Sequence, residues 1–151
     1  MLNLLDELVG IIDGLNEAST PYALCGGIAM SVHGFTRATE DIDLLVRPEH
    51  APDVEAVVGR LGYVIKATPM NFQSGAVQIR RVSKVDATDG DTLSLDLLLV
   101  TPASETAWAT RETHPWRGRA LFVVSREGLI LLKRFRSSDQ DLVDIARLET
   151  A

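Results

Sequence analysis

Leu24-Cys25-Gly26-Gly27-Ile28-Ala29, followed after His33-Gly34 by Arg37-Ala38-Thr39-Glu40-Asp41-Ile42-Asp43-Leu44-Leu45-Val46, is the stretch on which the fold turns. Residues 22–25 form a short apolar strand that Gly26-Gly27 interrupts. Residues 28–33 then suit a short helix, closed by Gly34 as a C-terminal cap. Residues 41–46 read as a strand, with Asp41 and Asp43 on one face and Ile42 and Leu44 on the other. Carboxylates two residues apart on a strand project from the same side, about 6–7 Å apart.

Upstream, Leu4, Leu5, Leu8, Ile11, Ile12 and Leu15 recur at helical spacing, which predicts an amphipathic helix over residues 2–17. Ser19-Thr20-Pro21 marks its exit. Downstream, Pro48 and Pro52 lead into a helix through Val54, Val57, Val58 and Leu61, stopped by Gly62. Strands follow at 63–66, 76–82 and 93–100, with a polar loop over 86–91. A short helix over 104–110, a last strand over 120–124, a helix from Ser125 and another over 139–148 complete the pattern. In that last helix Leu142, Ile145, Ala146 and Leu148 are expected to face inward. The alternation gives an α/β (α+β) chain, a mixed β-sheet flanked by helices, and one domain over residues 1–151.

Composition narrows the function. The chain has 151 residues, 46% hydrophobic and 24% charged, which excludes disorder and a disulfide scaffold. The one cysteine, Cys25, leaves no internal disulfide and fits a reducing cytoplasm. No apolar run reaches the ~18 residues that span a bilayer. Residues 1–10 carry Asp6 and Glu7 without a basic flank, so no signal peptide and no membrane association are expected. A net charge of −6 argues against bulk binding to nucleic-acid phosphate. The charge alternates in blocks, acidic over 1–55, basic over 56–85, acidic over 86–106 and basic over 107–136. Such blocks suit either ordinary mixed surface charge or a site where carboxylates gather cations beside phosphate-binding bases.

A third carboxylate stands out. Asp96 lies between Leu95 and Leu97 in a run that otherwise reads as buried core, where an unpaired carboxylate is costly. Either an Arg pairs with it, or Asp41, Asp43 and Asp96 converge on a divalent cation, Mg²⁺ or Mn²⁺, that offsets their repulsion. A solvated strand edge is the plainer account of Asp41 and Asp43. Gly26-Gly27 admits two readings as well, a tight turn or a close backbone approach to a phosphate at a helix start.

Gly26-Gly27, then Asp41-Ile42-Asp43 after thirteen residues, then Leu95-Asp96-Leu97 on a later strand, resembles the signature of the nucleotidyltransferase superfamily typified by DNA polymerase β. Within it, Gly26-Gly27-Ile28-Ala29 and Arg37-Ala38-Thr39-Glu40-Asp41-Ile42-Asp43 are most similar to small bacterial proteins related to AbiEii-type toxins. Residues 129–134 and 140–145 resemble their closing helices. Those relatives often carry an Arg five residues after the Lys, where this chain has Ser138, which leaves Arg134 or Arg136 to supply that charge.

The resemblance implies a polymerase β palm-like fold with C-terminal helices, and transfer of a nucleoside monophosphate from a nucleoside triphosphate to an acceptor hydroxyl. It further implies Asp41, Asp43 and Asp96 as catalytic metal ligands, with Gly26 and Gly27 cradling phosphates. The acceptor would be tRNA, a protein or a small molecule, and a toxin role with an antitoxin partner is implied as well. Arg37, four residues before Asp41, suits a bidentate phosphate contact. Lys133, in an apolar helical stretch, needs either a phosphate or an Asp144-type partner. His33 reads as a helix-end residue, Cys25 as a small buried side chain, Trp108 and Trp116 as packing residues, and Asp141 and Asp144 as supports of the last helix. Two other readings compete: a non-catalytic nucleotide-binding or protein-interaction module, and a simple cation-binding domain, which the missing EF-hand spacing disfavours.

Overall fold

The first helix forms where its cap and apolar stripe dictate. In the computed structural model, which describes residues 1–36, 38–136 and 138–150, α1 spans Leu4–Glu17. The Asn3 side chain accepts the Asp6 N–H at 3.0 Å, and Leu8, Ile11, Ile12 and Leu15 are buried. Strand β1 (Ala23–Cys25) runs directly into α2 (Gly26–Val32). Helix α2 closes on a Schellman motif: Gly34, at φ +93°, donates to the Ser31 carbonyl and Phe35 to that of Met30. Strand β2 (Ile42–Val46) and a 3₁₀ turn at Pro48–His50 precede α3 (Ala51–Arg60).

The remaining strands are β3 (Ile65–Lys66), β4 (Met70–Phe72), β5 (Val77–Val85), β6 (Thr92–Leu99), β7 (Glu112–Trp116) and β8 (Arg119–Val123). Helix α4 (Glu105–Ala109) lies between β6 and β7, and α5 (Arg126–Arg136) and α6 (Asp139–Thr150) end the chain. All eight strands join one sheet in the order β3-β5-β6-β2-β1-β8-β7, with β4 also paired to β5. Pairing of β2 with β6 and of β1 with β8 is parallel; the other pairings are antiparallel. The expected mixed sheet with flanking helices is present. Two strands escaped the sequence reading: β4 is short and mostly exposed, and β7 contains Pro115, which an edge strand tolerates.

Ile42, Leu44 and Val46 of β2 and Leu95 and Leu97 of β6 are fully buried, and they share one apolar cluster with α1 and α3. A Cβ on Gly14 would lie 3.0 Å from Val57 Cγ1, so α1 and α3 pack closely there. Leu142 and Ala146 do not face inward: both are exposed, and α6 buries Asp141, Asp144, Ile145 and Leu148 instead. The apolar stripe is rotated because two carboxylates of α6 turn toward Lys133 on α5. Among the described residues, no helix is long and apolar enough to cross a membrane.

Glu7 ties three elements together. Its Oε1 accepts from the buried Tyr63 hydroxyl at 2.9 Å and from Lys84 Nζ at 2.8 Å. Burial first, then this carboxylate, pushes the Tyr63 phenol far above its usual range. Replacing Glu7 by Ala is expected to destabilise the fold by about 1–3 kcal/mol, because a buried hydroxyl and an ammonium lose their acceptor together. Denaturant unfolding measures this, with Glu7→Gln milder because it keeps an acceptor for Tyr63.

Candidate active site

The strand registers bring four residues abreast. Cys25 on β1 pairs with Asp43 on β2, Asp43 with Asp96 on β6, and Asp96 with Arg81 on β5. Directly paired residues point to the same face, so two carboxylates stand side by side, their backbones one strand spacing of about 4.8 Å apart. That face opens into a cavity of about 490 Å³ that Asp41, just before β2, also lines.

The two acids are not equivalent. Arg81 grips Asp96 with both arms of its guanidinium, Nε to Oδ1 at 2.7 Å and Nη2 to Oδ2 at 3.0 Å. Of the alternatives open for Asp96, the ion pair with an Arg is therefore present, and it lies within the same cavity as the other two acids. The bidentate bond also raises the Arg81 guanidinium further above its usual range. Among the described residues Asp43 has no such partner. Burial first, and the adjacent Asp96 next, push its carboxyl up to about 6, against the pull of Arg136 and Lys133.

Gly26 is required by contact as well as by conformation. Its φ is +70°, and a Cβ there would sit 2.1 Å from Asp43 Oδ2. Gly26 and Gly27 both line the cavity beside Asp43. The turn reading therefore holds, and the close approach that the structure shows is to the carboxylate of Asp43.

Helix α5 supplies the basic wall, and α6 the carboxylates that meet it. Lys133 is 3% exposed, with Nζ 3.0 Å from Asp144 Oδ2 and 3.8 Å from Asp141 Oδ1, so the Asp144-type pairing is the one formed. Gln140 Nε2 donates to the other Asp144 oxygen at 2.8 Å. Ser138 caps α6: its Oγ accepts the Asp141 N–H at 3.1 Å, while Asp141 Oδ2 accepts the Ser138 N–H at 3.2 Å. Arg136 lines the cavity 3.6 Å from Asp141, whereas Arg134 reaches Glu149 on the surface. Of the two candidates, Arg136 is thus the one that brings positive charge to the site.

Arg37 lies outside the described residues. His33 sits at the end of α2 with Nε2 2.8 Å from the Val124 carbonyl, as a helix-end residue should. Cys25 is buried, and burial with Asp43 nearby pushes its thiol well up. Trp108 is buried under Arg111, whose guanidinium lies 4.0 Å from the ring centre. Arg81 was not singled out by the sequence reading, whereas Arg136 was one of its two candidates for the missing charge. Alternation along β5, with Ile79, Arg81 and Ser83 sharing a face, carried a signal for Arg81 only once its pairing with β6 was known.

Among the described residues, no three His, Cys, Asp or Glu side chains are gathered tightly enough to hold a metal ion. The donor chemistry nevertheless fits a hard divalent cation: Asp43 and Asp96 are oxygen donors in register, and Asp41 adds its negative field.

The raised Asp43 carboxyl has a measurable consequence. With its usual value of 3.8 raised to about 6, Asp43 binds more protons in the folded than in the unfolded chain between about pH 4 and 6. Stability contributed by this group is thus present at low pH and lost as pH rises through 6. In the absence of divalent cations, Asp43→Asn is expected to be more stable than the parent by about 1–2 kcal/mol at pH 7, after discounting for partial exposure. Melting curves from pH 4 to 8 should show the gap closing toward pH 4. Gly26→Ala is expected to lose about 1–3 kcal/mol, since its methyl needs the left-handed region and displaces Asp43. Denaturant unfolding of that variant checks the value.

The chain matches the family model described as aminoglycoside-2″-adenylyltransferase over residues 7–148. Among solved structures it is similar to the lincosamide antibiotic adenylyltransferase LnuA, lincomycin-bound, with 16% identity and a TM-score of 0.60 over 95% of each chain. It is also similar to ANT(2″)-Ia in complex with adenylyl-2″-tobramycin, at 17% identity and a TM-score of 0.61, covering 95% of this chain and 86% of that one. An antigenic nucleotidyltransferase-like protein from Paracoccidioides brasiliensis gives 18% identity and a TM-score of 0.54 over 94% and 74%. At such identities the likeness shows a shared fold. No curated protein sequence matches the chain. The family model names an adenylyltransferase, where residues 20–46 resembled toxin-like members of the superfamily. Matched over nearly all its length, the chain belongs to the aminoglycoside-2″-adenylyltransferase family and is a nucleotidyltransferase.

Proposed function

We propose that this chain moves a nucleoside monophosphate, in the first instance an adenylyl group, from its triphosphate to a hydroxyl of a small-molecule acceptor. The observation that carries the reading is the in-register pair Asp43 and Asp96, with Asp43 packed against Gly26. A cavity of about 490 Å³ is of the size that small ligands occupy and too small for a folded partner. The family match adds support for a small molecule over tRNA or a protein hydroxyl. A toxin role, with an antitoxin partner, draws only on the likeness of residues 20–46.

Asp41, Asp43 and Asp96 would hold Mg²⁺ or Mn²⁺. When bound, the cation neutralises the triphosphate and stabilises charge on the transferred phosphoryl group. The protein supplies the rest. Gly26 and Gly27 leave backbone room for phosphate at the start of α2, and Arg37 stands in the sequence just before the acids. Lys133, its charge already matched by Asp144, holds the α5–α6 wall in place and faces the triphosphate from there. Arg136 brings a guanidinium to the same wall. Arg81 fixes the direction of the Asp96 carboxylate, which is positioned to receive the acceptor proton. The acceptor oxygen then bonds to the α-phosphorus, the bond to the bridging oxygen breaks, and pyrophosphate leaves. Alignment and charge complementarity account for most of the rate.

Mn²⁺ with ATP is expected to raise the melting temperature of the parent protein, and Asp43→Asn to abolish that rise despite its greater intrinsic stability. Asp96→Asn should slow transfer of label from ATP to an acceptor at least about 100-fold. No thermal response to any of the four triphosphates with Mn²⁺ or Mg²⁺ would refute the reading.

A further inference from the structure

Beside the charged rank runs an apolar one. Ala23 pairs with Leu45, Leu45 with Leu98, Leu98 with Ile79, and Ile79 with Met70, one step along the same face from Cys25, Asp43, Asp96 and Arg81. This rank leads from the carboxylates to the β4–β5 hairpin, which forms the far wall of the cavity with Met70, Phe72, Gln78 and Ile79. Phe72 lines the cavity although it is 51% exposed.

The hairpin is held in a shape that its backbone would not choose. Gln73 and Ser74 have φ of +51° and +56°, and Gly75 follows at +89°, three successive left-handed residues of which two carry a Cβ. Such strain persists only where the surroundings impose it. Here Gln73 Nε2 donates to the Phe135 carbonyl at 3.3 Å, arching the turn toward α5, and Gln78 Nε2 donates to the Gly75 carbonyl at 3.0 Å. Thr101 Oγ1 anchors the base of the hairpin through the Ala76 carbonyl at 2.8 Å.

The charges in the cavity are distributed unevenly. Its described carboxylates are Asp41, Asp43, Asp96 and Asp141, and none belongs to the hairpin. Asp96 is committed to Arg81, Asp141 to Ser138 with Arg136 and Lys133 nearby, and Asp41 and Asp43 are the acids assigned above to the cation of the triphosphate. A polyamine seated against the hairpin would lose hydration from several ammonium groups beside Arg81, with no carboxylate on the hairpin itself to receive them. An apolar ring or alkyl group gains from the same wall, and the side-chain amides of Gln73 and Gln78 offer neutral hydrogen bonds at its margin.

We infer that the β4–β5 hairpin is the acceptor-binding wall, and that it selects a hydroxylated acceptor with an apolar face and at most one positive charge over a polycationic aminosugar. This rests on the nucleotidyl-transfer reading above and departs from the acceptor named in the family's description.

The test compares two panels of probes with Mn²⁺ and ATP. One holds hydroxylated amides and thioglycosides of zero or one positive charge, lincomycin among them; the other holds polyamine sugars, tobramycin among them. Transfer is followed by mass spectrometry and binding by thermal shift. The best low-charge probe is expected to exceed the best polyamine at least about tenfold in kcat/KM. Phe72→Ala should raise KM for that probe several-fold and leave KM for ATP alone. Ile79→Glu, which plants an anion on the wall, should move preference toward the polyamines about tenfold. Preference of the parent protein for polyamines overturns the inference, as does failure of the whole low-charge panel to bind or react in a protein that Mn²⁺ with ATP stabilises. Absence of that stabilisation is a different failure, of the nucleotidyl-transfer reading itself, and the inference falls with it.

Discussion

Two carboxylates fixed side by side on neighbouring parallel strands are the constraint around which this molecule is arranged. Asp43 and Asp96 pair in register, and like charges at one strand spacing repel unless something compensates them. Arg81 compensates one member through a bidentate bond. Arg136 and Lys133 act on the other from a distance, while burial first and the neighbouring Asp96 next keep the Asp43 carboxyl raised. The register resists relaxation because the alternate residues Ile42, Leu44, Leu95 and Leu97 are fully buried on the opposite face. A slip of one position would put carboxylates into the core and leucines into the cavity.

The closing helices meet this rank with a second set of charges, arranged for rigidity. A buried pair such as Lys133–Asp144 contributes little net stability, because removing both groups from water offsets much of their attraction. Its consequence is geometric. Together with the reciprocal Ser138–Asp141 cap, it sets where α5 stops and α6 starts, and so where Arg136 stands. Ser138, which departs from the pattern of the toxin-like relatives, therefore has a structural task of its own.

Family membership and structural likeness agree on the scaffold: LnuA and ANT(2″)-Ia superpose on nearly the whole chain at below one-fifth identity. A scaffold shared so widely across such divergent sequences leaves specificity to its margins. In this chain the margin nearest the carboxylates is the strained β4–β5 hairpin, whose side chains differ in character from the charged wall opposite.

The sequence by itself determined most of the elements, though not β4 or β7, and picked out the acids. Gly26-Gly27, Asp41-Ile42-Asp43 and Leu95-Asp96-Leu97 carry their meaning locally, in a turn that needs glycine, a two-residue period, and a charge out of place among leucines. Helix α1 and the central strands are equally legible, since their burial follows from periodicity. Tertiary structure alone decided the rest. It paired Arg81 with Asp96 and Lys133 with Asp144, chose Arg136 over Arg134, turned Leu142 outward, and arched β4 and its turn across to α5. Each of these depends on which strand or helix lies next to which. Contacts between residues far apart in the chain are set by register and packing, and no local pattern of residue types encodes them.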